Sequence, residues 1–166
     1  MRAVRGVVVV AAVLATLLGP VPAARAAAPT TTVPVQGLEY AASLTEGRFG
    51  GVARGEARGV WTAVVVHDPL SRGSAAPITG GSFTLHGRDR ALSGTFDDGS
   101  VTPSDAAGSC GDERFDVAGA LALDGGGRGS FRVVLTHLRV RTDDGCRTYA
   151  ASVVGSLRVP ARAVTG

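Results

Sequence analysis

Lysine and asparagine are absent from this 166-residue chain, and cysteine, methionine and tryptophan are scarce, with two, one and one residues. Every basic side chain is therefore an arginine, whose planar and permanently charged guanidinium group suits carboxylate or phosphate recognition. Arginine without lysine, combined with abundant alanine, glycine and valine, is typical of GC-rich bacterial genomes. Aromatic residues make up 5% of the chain.

Acidic residues are missing from the first 26 positions, which carry Arg2, Arg5 and Arg25. Without that segment, fourteen arginines face fourteen acidic residues, so the net charge falls from +3 to zero. A chain without a sustained cationic field has no general attraction to nucleic acid or to an anionic membrane, and we expect no nucleic-acid partner. The charges are unevenly distributed along the chain. Residues 27–124 have seven arginines and twelve acidic residues, whereas residues 125–166 have seven arginines and two acidic residues.

Long apolar runs are also rare. The exception is Val7–Leu18, which is too short to span a bilayer comfortably. It follows two arginines and precedes Gly19–Pro20 and the small-residue end Ala24–Arg25–Ala26. These are the three parts of a secretory signal peptide, so we expect cleavage after Ala26 and a secreted or extracytoplasmic mature protein without a transmembrane segment.

The rest of the chain is short enough for one domain. Residues 27–35 are rich in proline and threonine and show no periodic pattern, which predicts an extended linker. Residues 36–160 are expected to form the single domain, and residues 161–166 a C-terminal tail.

The two cysteines, Cys110 and Cys146, both lie in the mature part. An even number of cysteines in an oxidising compartment indicates a disulfide. Redox or metal chemistry is the weaker interpretation, because the chain has no CxxC pair.

The domain shows no convincing helical period. Glycine and Asp-Gly turns cut it into about eight segments of alternating polarity, the pattern of antiparallel strands with one face in water. Each segment contains one of the eight mature aromatic residues: Tyr40, Phe49, Trp61, Phe83, Phe96, Phe115, Phe131 and Tyr149. One large ring per strand can fill a small barrel. The predicted fold is an all-β antiparallel meander of about eight strands that forms a small β-barrel, with a two-sheet β-sandwich as the alternative.

The segment 129–141 changes the phase of its alternation. Its apolar residues occupy odd positions up to Leu135 and even positions from Leu138 onward. An extra residue near Thr136–His137 would restore one buried face, which predicts a β-bulge there.

The following Asp-Asp-Gly sequence predicts a tight hairpin turn. If Asp144–Gly145 forms the two-residue loop, Val140 lies opposite Tyr149 and both point inward.

Three short segments resemble the opening strands of calycin and avidin-like barrels: Gly59–Thr62, Ser82–Leu85 and Ala91–Phe96. They cover less than a quarter of the chain. Avidins surround biotin with several tryptophans and this chain has one, so the resemblance implies a barrel and no particular binding residue.

Catalytic and metal-binding patterns are missing from the sequence. The three histidines, His67, His86 and His137, have no i, i+2 spacing, and neither HExxH nor GxSxG occurs. The Asp-Asp-Gly sequences at 97–99 and 143–145 are typical of turns. We therefore predict no catalytic residue, no metal site and no cofactor.

Two binding modes form the leading functional hypothesis, that of a non-enzymatic binding protein. A small apolar ligand could lie inside the barrel beside Trp61, near His137 at the expected bulge. Alternatively, an anionic partner such as an envelope component could bind Arg139, Arg141 and Arg158, which the expected register places together on the outer face.

Two other functions stay open at this point. One is a secreted enzyme with scattered groups and with His67 or His137 as the base. The other is an inhibitor or envelope-associated protein that acts through exposed loops, such as 68–79 and 102–112. The sequence leaves the oligomeric state and the ligand undetermined.

Overall fold

Eight antiparallel strands form a closed barrel in which each strand pairs with the next and β8 pairs with β1. This architecture is seen in a computed structural model, which describes residues 28–71, 73–88, 90–104 and 110–164. The predicted signal peptide lies outside the described residues. The strands are β1 (Thr30–Ala42), β2 (Glu46–Ala53), β3 (Gly59–His67), β4 (Ala76–Gly87), β5 (Ala91–Ser104), β6 (Glu113–Leu123), β7 (Arg128–Thr142) and β8 (Gly145–Pro160).

The all-β meander and the barrel are thus confirmed, and the sandwich alternative is wrong because the sheet closes on itself. Alternate residues of the strands point inward and form one apolar core. Each predicted aromatic residue does lie on a different strand. Tyr40 and Tyr149, however, are exposed on the outer surface.

The first strand begins earlier than the sequence indicates. Thr30–Ala42 is a strand, and Val33 and Val35 are buried in the core. The linker prediction for residues 27–35 is therefore wrong from Thr30 onward. Pro34 tolerates this position because its ring faces outward, and the threonine and valine residues around it favour extended backbone.

The chain also continues in ordered structure beyond β8. Ala161–Ala163 form a 3₁₀ turn, and Ala163 and Val164 pack against the core at the end of the barrel. The tail prediction is therefore wrong for these residues, because they cover apolar surface that the barrel end would otherwise expose.

The β7–β8 hairpin differs from the predicted register. Thr142 pairs with Gly145, so that Asp143–Asp144 form the loop and Val140 lies opposite Arg147. Tyr149 is the unpaired residue between the pairs Leu138–Ala150 and Arg139–Thr148. The bulge is therefore on β8 rather than near Thr136–His137.

Because β7 has no bulge of its own, its odd positions continue to point inward beyond Leu135. His137 and Arg139 therefore lie on the inner side of the barrel mouth, and both are partly buried. The sequence prediction placed Leu138 and Val140 inside because they are apolar. At the barrel mouth, however, the inward side chains are polar and contact Glu39 and Glu113.

The Asp97–Asp98–Gly99 sequence, expected to form a turn, is a bulge within β5. The pairing with β6 shifts between Phe96 and Asp98, and the main-chain N–H of Gly99 donates a hydrogen bond to the side chain of Asp98. The positive φ of 141° at Gly99 suits glycine, which accommodates such bulges.

The predicted disulfide is confirmed. Cys110, which precedes β6, is bonded to Cys146 at the start of β8, with Cα atoms 5.3 Å apart. The bond joins the β5–β6 connection to the start of β8, at the same end of the barrel as His67 and His137. No helix in the described ranges is long and apolar enough to cross a membrane.

Candidate functional site

The barrel interior is filled by aromatic rings. The Trp61 side chain has no exposed surface, and its ring lies 6.3 Å from Phe83 and 5.7 Å from Phe131, centroid to centroid. Phe96 packs edge-on against Phe131. These rings occupy the space beside Trp61 in which an apolar ligand was expected, and the internal ligand site stays a prediction.

The polar group of the Trp61 indole meets the backbone of β1 and β2 beside two paired glycines. Gly37 of β1 and Gly51 of β2 lie opposite each other on the inner face. The Nε1–H of Trp61 points toward the carbonyl oxygens of Gln36 and Val52, at 3.3 and 3.2 Å. The indole thus has its polar group satisfied inside an apolar core, as buried tryptophan requires.

The two ends of the barrel are chemically different. The end at which β1, β3, β5 and β7 finish carries His67 and His137 and is called the histidine end. The opposite end carries Arg58, Arg88 and Arg90 and is called the arginine end.

At the histidine end, four charged or titratable side chains form a chain of contacts. Nε2 of His137 lies 2.7 Å from Oε2 of Glu39, whose side chain is 8% exposed. Nδ1 of His137 lies 3.9 Å from Glu113, and Glu113 also accepts a hydrogen bond from Arg139. The ring of Phe115 packs against the imidazole at 5.1 Å. This network, called the mouth cluster, links β1, β6 and β7.

His67 faces the same part of the interior. It is 7% exposed, and its Nδ1 lies 2.7 Å from the carbonyl oxygen of Asp68. His67 and His137 both line a cavity of about 60 Å³. Ligand sites for drug-sized molecules usually measure about 300–1,000 Å³, so this cavity suits only very small molecules. His86 is exposed on β4, away from both.

The three arginines predicted to form an anion site do not come together. Arg139 points inward at the mouth cluster, and Arg141 is exposed near the tip of the same hairpin. Arg158 lies near the arginine end of β8, where its Nε donates a hydrogen bond to Thr30. The corrected hairpin register separates Arg139 from the outer face, and the length of β8 separates Arg158 from both.

A different set of arginines surrounds a concavity at the arginine end. This arginine groove has a volume of about 740 Å³. It is lined by Glu56, Ala57, Arg58, Leu85, Gly87, Arg88, Arg90, Leu92, Ala163 and Val164.

The groove is built from two neighbouring hairpins and the chain end. A 3₁₀ turn, Gly55–Ala57, and Arg58 connect β2 to β3, and Arg88–Arg90 connect β4 to β5. In a meander these two connections lie at the same end of the barrel. The guanidinium of Arg90 donates a hydrogen bond to the carbonyl oxygen of Arg162, which fixes the C-terminal 3₁₀ turn along the groove.

The groove combines an apolar floor with a cationic rim. Leu85 and Leu92 are buried beneath it, whereas Arg58, Arg88 and Arg90 are exposed. Within the described part of the chain, none of these three arginines forms an ion pair. Glu56, the acidic residue of the lining, accepts a hydrogen bond from the hydroxyl of Thr31.

The sequence prediction missed this groove because it placed the anion site in residues 125–166, where arginines outnumber acidic residues. The three arginines lie in residues 27–124, the half of the chain with excess acid. Their position in alternate hairpin connections was the available signal, since such connections meet at one end of a meander.

Within the described ranges, no group of three or more histidine, cysteine, aspartate or glutamate side chains is arranged to hold a metal ion. The chain matches no protein-family model, no curated protein and no solved structure. The geometry of the barrel is therefore the basis for a functional proposal.

Proposed function

We propose that this protein is an exported binding protein that takes a small amphipathic anion, a carboxylate or phosphate on an apolar body, in the arginine groove. The observation that carries the proposal is the convergence of Arg58, Arg88 and Arg90, without ion pairs among the described residues, on one groove of about 740 Å³. Its volume is within the range of small-molecule sites.

The chemistry of the lining supports an anion with an apolar part. Guanidinium groups bind carboxylate and phosphate oxygens by charge-assisted hydrogen bonds. Leu85, Leu92 and Val164 offer apolar surface next to them. A ligand that has both features would use the rim and the floor together.

Isothermal titration calorimetry with decanoate and decyl phosphate tests the proposal, with decanol as the uncharged control. We expect both anions to bind and decanol to bind much more weakly. Arg88→Gln and Arg90→Gln should each weaken binding about fivefold, the equivalent of about 1 kcal/mol for an exposed charge contact.

Arg114→Gln is the matched control, because Arg114 is an exposed arginine at the other end of the barrel. The Arg114→Gln variant should bind decanoate and decyl phosphate with the same affinity as the unaltered protein. Equal binding of decanol and decanoate, or affinities that do not change in Arg88→Gln and Arg90→Gln, would contradict the proposal.

Export is the second part of the proposal and is supported by the three-part pattern of residues 1–26. Mass spectrometry of the protein secreted by expressing cells should find Ala27 at the N-terminus. Recovery of the intact chain from the cytoplasm would contradict export and leave the groove proposal unaffected.

A further inference from the structure

Large apolar side chains are exposed on one side of the barrel. Ten such residues are recorded, and nine of them lie on β7, β8, β1, β2 and β3 or in the β1–β2 loop. The tenth, Leu70, lies in the β3–β4 connection. None of these ten lies on β4, β5 or β6, so the described barrel wall has an apolar side and a polar side.

The strand register joins part of this surface into a continuous row. Val134 of β7 pairs with Val154 of β8, which pairs with Gln36 of β1. Gln36 pairs with Val52 of β2, and Val52 pairs with Val60 of β3. The four valines are 41–59% exposed. Leu38 and Tyr40 continue the apolar surface along β1, with 58% and 62% exposure.

Arginines accompany this row. The guanidinium of Arg54 donates a hydrogen bond to the side-chain oxygen of Gln36, the polar member of the row. Arg132 lies one outward position from Val134 on β7, and Arg158 lies two outward positions from Val154 on β8. None of the three forms an ion pair among the described residues. Cations therefore lie within and beside the apolar row.

Acidic groups are scarce on the same side. Glu46 is the acidic residue at an outward position of β7, β8, β1, β2 or β3 in the described ranges, and it is bonded to Arg48. Its carboxylate raises the pKa of the Arg48 guanidinium. Asp97 and Asp98 face outward on β5, and Asp116 of β6 faces outward beside Val134, at the end of the row.

We infer that the β8–β1–β2 face, with Leu38, Tyr40, Val52, Val154, Arg54 and Arg158, docks on an anionic lipid surface. Such a surface has negative headgroups for the arginines and an apolar boundary for the aliphatic side chains. Tyrosine is typical of this interface, because its ring is apolar and its hydroxyl is polar. The apolar row can contact the lipid boundary while Arg54, bonded to Gln36 at the centre of the row, contacts the headgroups.

Vesicle sedimentation tests this inference. The purified protein is mixed with unilamellar vesicles of phosphatidylglycerol and phosphatidylcholine, or of phosphatidylcholine alone. We expect binding to the anionic vesicles that decreases as salt is added, and little binding to the neutral ones.

Two paired variants address the two features of the face. Leu38→Ser with Val154→Ser removes apolar contacts, and Arg54→Gln with Arg158→Gln removes cations. Each pair should weaken binding to anionic vesicles at least about tenfold. A cation near an anionic surface contributes about fivefold, and each methylene group buried at the lipid boundary contributes about fourfold, the equivalent of about 0.8 kcal/mol. Arg114→Gln, on the acidic side of the barrel, should have no effect.

A third pair, Arg88→Gln with Arg90→Gln, separates this inference from the proposed function. If it alone weakens vesicle binding, the headgroup occupies the arginine groove and the docking face is rejected. All variants have the same N-terminus, so residues 1–26 cannot cause a difference between them. Trp61 emission in each variant confirms that the barrel is folded.

Two other results would overturn the inference. One is the absence of binding to anionic vesicles. The other is a concentration-dependent dimer that Leu38→Ser with Val154→Ser dissociates, which would show that a second copy covers the face.

Discussion

Oε2 of Glu39 on β1 lies 2.7 Å from Nε2 of His137 on β7, although β8 separates these strands in the sheet. The contact therefore crosses the inside of the barrel mouth. It also places a carboxylate that is almost fully buried next to the imidazole group. A carboxylate in that position requires a hydrogen-bonding partner.

Replacing either partner is expected to destabilise the barrel. Glu39→Ala and His137→Ala should each lower the free energy of unfolding in urea by about 1–3 kcal/mol, because each leaves a buried polar group without its partner. The double variant should lose less than the sum of the two. Strictly additive losses would show that the pair is not coupled. Asp144→Ala, whose partner Arg147 is exposed, is the control and should change stability by less than about 0.5 kcal/mol.

The filled interior predicts the fluorescence of the single tryptophan. Trp61 is fully buried among Phe83 and Phe131, so its emission should be blue-shifted and poorly quenched by acrylamide. Unfolding in urea should shift the emission to the red and expose the indole to the quencher. Strong quenching in the native protein would contradict the packed core. Decanoate should leave the emission unchanged, because Trp61 does not line the arginine groove.

The close approach of β1 and β2 predicts that Gly51 cannot be replaced. A Cβ atom at Gly51 would lie 2.0 Å from the carbonyl oxygen of Gln36. Gly51→Ala should therefore lower the free energy of unfolding by about 2–3 kcal/mol through backbone displacement. Gly80→Ala is the matched control, because a Cβ atom there meets nothing within 4 Å. Equal stability of the two variants would argue against the tight pairing of these strands.

Reduction of the disulfide is expected to lower stability. The bond closes a loop between cysteines 36 positions apart, which contributes about 3–4 kcal/mol in the chain-entropy model. Dithiothreitol should lower the melting temperature of the protein. The variant with Cys110→Ser and Cys146→Ser should have the melting temperature of the reduced protein, with or without reductant. A melting temperature that the reductant does not change would contradict this contribution.

The strand pattern and the pairing of the cysteines could be predicted from local features. Alternation along Arg114–Leu123 and near Phe83 and Phe96 requires one buried face, and a meander follows from short connections. The two cysteines had no other partner, so the disulfide followed from their number.

The mouth cluster could not be predicted in this way. His137 and Arg139 were assigned to the bulge and to the outer face because a sequence pattern separates apolar from polar residues, not inside from outside. At the barrel mouth, inward positions are polar because other charged side chains face them. The register of β6 with β7 places Glu113 opposite His137, and the contact across the barrel mouth brings Glu39 to the same imidazole.

The sequence alone determined the class of fold and the disulfide, because each depends on local periodicity or on composition, and it is the basis for the proposed export. The tertiary structure decided where the charges act. It filled the space around Trp61, separated Arg139 from Arg158, and brought Arg58, Arg88 and Arg90 to one groove. These outcomes depend on closure of the sheet and on strand register, which set the distance between residues that are far apart in the chain.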